Sequence, residues 1–106
     1  MSVTDLEEES AQRAADAAEL ERLRRTMEFG WKVEDFLGSD IGRFLCLRAE
    51  SERIDLLESL GTMDPTDAAG IRRVQMRIEA LGMWQGWLAE AIQTGRQVEQ
   101  MAIDRA

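Results

Sequence analysis

The chain contains no histidine and no tyrosine, and it has one cysteine and one proline among its 106 residues. Without histidine it cannot build a Ser-His or Cys-His nucleophilic pair, or the Glu-x-x-His motif of di-iron bundles. With Cys46 alone it has neither an internal disulfide nor a thiol cluster for zinc. We therefore expect no enzymatic activity, no cofactor and no metal site.

Long apolar runs are also missing. None approaches the roughly 20 residues of a membrane-spanning helix, and the first twenty residues are polar and acidic, unlike a signal peptide. The net charge is −8, from 21 acidic and 13 basic residues, and such a surplus repels a phosphate backbone. We expect no membrane contact, and nucleic acid is an unfavourable partner.

The residues that are abundant favour helices. Alanine, leucine, glutamate, arginine, glutamine and methionine dominate, and these are the strongest helix formers. The chain has the length of a single domain. The composition therefore predicts an all-α fold.

The sequence predicts an N-terminal acidic helical arm over residues 1–35, which is joined to a core over residues 36–106. Thr4 and Glu7 have the spacing of a capping box, which predicts an arm helix over about 5–28. Gly30 is expected to mark a break or a kink before a short helix over about 30–37. The apolar stripe of the arm is thin, so the arm either lies on its own domain or docks on a partner.

The core reads as an antiparallel helical hairpin over about 40–60 and 65–103. Gly61 ends its first helix, while Asp64 and Pro65 have the pattern of a helix N-cap and first position. The short connection between them implies antiparallel packing.

The last helix carries two apolar stripes, and its hairpin partner can cover only one. The uncovered stripe contains the methionines and Trp87, residue types that are common at protein interfaces. Two glycines four residues apart form a smooth strip beside it, which we expect the arm or a neighbouring subunit to cross. The predicted interface, with the arm stripe included, is Met76, Met83, Trp87, Val98, Met101, Gly82, Gly86, Leu20, Leu23 and Met27.

Two charged patterns have alternative explanations. The hairpin carboxylates, such as Glu52, form ion pairs or a solvated surface more readily than a metal site. The clusters Arg22-Arg24-Arg25 and Arg72-Arg73-Arg77 suit a solvated surface, or DNA contact if they form a patch separate from the acids.

Three segments resemble small helical proteins encoded by tailed bacteriophages and prophages. The matching motifs are Ser39 to Phe44, Ala49 to Glu52, Asp64-Pro65, and "WLAEAIQTGR" from Trp87 to Arg96. The resemblance covers residues 36–100. Genes of such proteins tend to lie among packaging and head-assembly genes, so the resemblance implies a role in the virion or the host cytoplasm.

The leading hypothesis is therefore a phage-type virion or packaging accessory protein that acts by protein–protein contact in an oligomer, with itself or with phage structural proteins as partners. One alternative is an acidic inhibitor of a host or phage nucleic-acid enzyme, suggested by the charge of −8. Another is a small DNA-packaging subunit with weak DNA contact.

Overall fold

The computed structural model describes residues 2–106 and contains three α-helices. They are α1 (Val3–Gly38), α2 (Asp40–Leu60) and α3 (Ala68–Arg105). No strand occurs in the described part of the chain. The predicted all-α fold is confirmed, and α2 has the predicted bounds.

The three helices form one long hairpin. Going forward along α1 and α2, the partners on α3 move backward: Trp31 contacts Glu99, Glu34 contacts Arg96 and Glu52 contacts Arg77. α3 is thus antiparallel to both α1 and α2, which together make up the opposite arm. The molecule extends over 78 × 32 × 21 Å.

The two arms meet along a narrow seam. Its positions alternate three and four residues apart, the spacing of a coiled-coil contact. On α3 they are Gly70, Val74, Arg77, Leu81, Trp84, Leu88, Ala91, Gly95 and Val98, and all but Arg77 are buried or half-buried. Many seam residues are small, so the arms lie close together but enclose little volume. Among residues 2–106, the buried apolar side chains are Val33 and Ala49 alone.

The closest approach of the arms is a crossing of two glycines. A Cβ added at Gly95 would lie 3.2 Å from both the Cα of Gly30 and the carbonyl oxygen of Thr26. A Cβ at Gly30 would lie 3.1 Å from the carbonyl oxygen of Ala91. The helices are therefore in backbone contact, which only residues without a side chain allow.

The predicted break at Gly30 is wrong. α1 continues without interruption from Val3 to Gly38, so the arm and the short helix are one element. A glycine costs a helix roughly 1 kcal/mol relative to alanine, which the strong helix formers around it can tolerate. Gly30 lies in a helix interior because α3 crosses there.

The junction of α1 and α2 is a single residue, Ser39. Its hydroxyl accepts a hydrogen bond from the backbone N–H of Gly42 at 3.0 Å and donates to the carbonyl of Phe36 at 2.5 Å. The chain turns so tightly that a Cβ at Gly42 would overlap the Phe36 carbonyl oxygen. Ser39 is the N-cap of α2.

Two predicted helix caps lie elsewhere. The capping box of α1 is formed by Ser2 and Asp5 rather than by Thr4 and Glu7. The N-cap of α3 is Asp67, because Asp64 accepts hydrogen bonds from the N–H and hydroxyl of Thr66 and thereby holds Pro65 in a turn.

We predict opposite effects of two alanine substitutions in α3. Gly86→Ala should raise the free energy of unfolding by up to about 1 kcal/mol, because it gains helix propensity in open space. Gly95→Ala gains the same propensity but forces the helices apart, and overpacking typically costs 1–3 kcal/mol. Urea unfolding followed by circular dichroism measures both, and equal values would show that the crossing is not tight.

Candidate protein-interaction surfaces

The candidate site consists of apolar side chains that lie outside the seam, except for Val98, which belongs to both. Seventeen large apolar residues among residues 2–106 are more than one-third exposed, against two apolar residues that are buried. Full burial of such a side chain contributes roughly 1.5–3 kcal/mol. These seventeen side chains therefore contribute only part of that energy to the stability of the isolated hairpin.

The first surface is the outer face of α3, formed by Met76, Met83 and Trp87. These side chains are 56%, 53% and 62% exposed, and their spacing of seven and four residues places them on one side of the helix. The prediction that this stripe is not covered by the hairpin partner agrees with the structure. Its role as an interface stays a prediction.

A shallow groove joins this face to α1. Phe29 of α1 and Trp87 of α3 line it, with Arg22 and Arg25 on one rim and Glu90 on the other, around a volume of about 450 Å³. Phe29 is itself exposed. The groove thus combines two aromatic side chains with charges of both signs, a composition typical of protein interfaces.

The second surface is an end groove between α1 and the last turns of α3. It brings together five predicted interface residues from distant parts of the sequence, and it encloses about 320 Å³. They are Leu20, Leu23, Met27, Val98 and Met101. Leu20 at its mouth is 67% exposed. The arm stripe therefore packs partly on its own chain and leaves an open apolar end.

The strip of Gly82 and Gly86 is not crossed by α1. A Cβ added at either glycine would meet nothing within 4 Å. The expectation that the arm crosses there is wrong, because α1 crosses α3 at Gly95, nine residues beyond Gly86. Contact with a neighbouring subunit stays a prediction.

Sequence reasoning left α2 out of the predicted interface. Phe44, Leu47 and Ile54 are exposed on the side of α2 turned away from the seam. Their signal was visible, since all three lie off the main stripe of that helix. An apolar residue outside the stripe that a single partner covers is the pattern that identifies such a face.

Ion pairs join the helices of the hairpin and also lie along the surface of α1. Arg96 of α3 donates a hydrogen bond to Glu34 of α1 at 2.8 Å, and Arg77 of α3 donates one to Glu52 of α2 at 3.1 Å. Within α1, the Arg24 guanidinium lowers the pKa of Glu21 to about 2 through a hydrogen bond. These groups are solvent-exposed, so water and salt screen the pairs and each adds little to the stability of the fold.

Neither a cluster of metal-ligand side chains nor a membrane-spanning helix occurs among residues 2–106. No three carboxylate or thiol side chains within residues 2–106 converge on a possible metal position, and Cys46 is half-buried. None of the three helices is long and apolar enough to cross a membrane.

Comparison of the chain with protein-family models, curated proteins and solved structures gives no match. The surfaces therefore have to be interpreted from their own geometry.

We predict that the two neighbouring tryptophans differ in their effect on stability. Trp84 is half-buried against Leu45 and Ala49, so Trp84→Ala should lower the free energy of unfolding by about 2–3 kcal/mol, somewhat below the value for a fully buried aromatic. Trp87→Ala should cost less than about 1 kcal/mol in dilute solution, because this side chain is already exposed. Urea unfolding at low protein concentration measures both, and equal losses would mean that the isolated chain covers Trp87.

Proposed function

We propose that this chain is an assembly subunit of the tailed-phage type, a virion or packaging accessory protein that acts by protein–protein contact. The observation that supports this most is its surface area. The described chain exposes 8227 Å², whereas a folded monomer of 12.0 kDa exposes about 6,000 Å². The excess of about 2,200 Å² exceeds the roughly 800 Å² that each partner buries in a standard interface.

The elongated shape supports the same proposal. The radius of gyration is 22.8 Å, against about 13 Å for a globular domain of this length. An elongated hairpin cannot cover its own outer faces, since each arm has only one neighbour. Exposed apolar faces of this extent mark binding surfaces in stable proteins.

The phage context comes from the sequence resemblance over residues 36–100. The segment Trp87 to Arg96 contains both a contact between the helices and an exposed aromatic side chain. Gly95 and Arg96 hold α1, while Trp87 is exposed. A motif that combines a packing contact with an uncovered aromatic suits a subunit that joins a larger assembly.

The alternatives gain less support. A DNA-packaging subunit requires a continuous basic patch, but Arg77 is paired with Glu52 across the hairpin. The acidic regulator stays a prediction, since the exposed acidic half of α1 suits a basic partner as well.

We expect association through the outer face of α3 to depend on Trp87. Trp87→Glu should weaken binding to purified portal, terminase or capsid proteins at least tenfold, because it places a charge at the centre of an apolar contact. Gln93→Glu, an equal charge change at an exposed position of the same helix, should have no effect. Sedimentation with assembled particles and light scattering measure this.

A chain that stays monomeric at high concentration and binds none of these proteins would contradict the proposal. Equal effects of the Trp87 and Gln93 substitutions would remove the α3 face from it.

A further inference from the structure

The first half of α1 has no neighbour. From Ser2 to Leu20 every residue is exposed, and α3 ends beside Leu20 and Leu23. About 17 residues therefore project beyond the hairpin as a single helix of about 26 Å. No other part of residues 2–106 covers this segment, so its side chains are available for contact with another chain.

Charge is distributed unequally along this helix. Between residues 3 and 18, every charged residue except Arg13 is acidic, with Asp5, Glu7, Glu8 and Glu9 close together. Between residues 19 and 32, four of the seven charged residues are basic, and Arg22, Arg24 and Arg25 form the densest group. The two groups are separated by about 16 residues, or about 24 Å.

We infer that two copies of this chain pair antiparallel along α1, with the acidic group of each beside the arginine group of the other. This inference rests on the proposed function, since it names one contact of the assembly. Antiparallel pairing joins opposite charges twice, whereas parallel pairing sets acids against acids and arginines against arginines. Like charges directly opposed disfavour association.

The arginines are available for such a contact. Arg22 pairs with Glu19, Arg24 pairs with Glu21 and Glu28, and Arg25 pairs with Glu21. All of these pairs lie within α1 at its surface, where solvent screens them and they hold the side chains weakly. A second set of carboxylates can therefore share or replace these partners at little cost.

Small side chains agree with the register that the charges set. When Glu8 of one copy lies beside Arg25 of the other, the two-fold axis falls near residues 16–17. At 100° per residue, the helix face that carries these charges also carries four alanines, whose short side chains permit close approach: Ala11, Ala14, Ala15 and Ala18. Leu23 and Met27 lie on the opposite face, where they line the end groove against α3.

The test exchanges the charges. Glu7→Arg, Glu8→Arg and Glu9→Arg together form the acidic-end variant, and Arg22→Glu, Arg24→Glu and Arg25→Glu form the basic-end variant. Each should raise the dimer dissociation constant at least tenfold in sedimentation velocity. The combined variant, with all six changes in one chain, should restore the homodimer, because opposite charges again face each other.

The matched control reverses three exposed acids away from α1, as Asp55→Arg, Glu58→Arg and Glu79→Arg. It changes the net charge as much as the acidic-end variant and should leave the dissociation constant unchanged. Mixing the acidic-end and basic-end variants should produce a heterodimer. If either variant alone is only weakly helical by circular dichroism, formation of this heterodimer still tests the pairing.

A monomeric wild-type chain, or a combined variant that associates less than either single variant, would overturn the pairing. If all charge variants keep the wild-type mass while Trp87→Glu reduces it, the copies meet at the α3 face instead. In that case the inference fails while the assembly function stands. If the wild-type chain binds particles but does not associate with itself, the pairing is likewise wrong while the proposed assembly function stands.

Discussion

The crossing of α1 and α3 at Gly30 and Gly95 is the contact on which the rest of the molecule depends. Because neither residue has a side chain, the two backbones touch, and the polar partners around them come within bonding distance. Arg96 reaches Glu34 and the indole N–H of Trp31 reaches Glu99 only at this separation. A larger residue at either glycine would move the arms apart and loosen all of these contacts together.

This close approach also explains why many apolar side chains of the hairpin are exposed. Glycine and alanine at several seam positions bring the helices near each other, so the seam holds few large side chains apart from Leu81, Trp84 and Leu88. Most of the aromatic side chains lie outside it and are more than one-third exposed. A globular bundle would cover them with a further helix. Here the outer faces of residues 2–106 are open, and this exposure is the basis of the proposed protein–protein contacts.

The two candidate contacts occupy different regions of the elongated shape. The N-terminal half of α1 projects beyond one end, whereas Met76, Met83 and Trp87 lie along the side of α3. A subunit can therefore pair with a copy of itself at its end and still present its side to another protein. Such separation of contacts suits a component that links neighbours within an assembly, the role proposed for this chain.

Local chemistry in the sequence by itself determined the helical content, the bounds of α2, the turn that follows Gly61 and the exposure of the second stripe of α3. Composition, helix caps and the periodicity of apolar residues depend on interactions within a few residues of the chain. They can therefore be predicted from the sequence without knowledge of the tertiary structure. Only the tertiary structure decided which glycines meet another helix. Four glycines lie inside helices and have the same unfavourable helix propensity: Gly30, Gly82, Gly86 and Gly95. The sequence around each one therefore does not show whether it breaks the helix, faces solvent or contacts another helix. The position of the opposing arm makes that distinction, and it depends on the single-residue turn at Ser39 and the register of a seam that spans the whole chain.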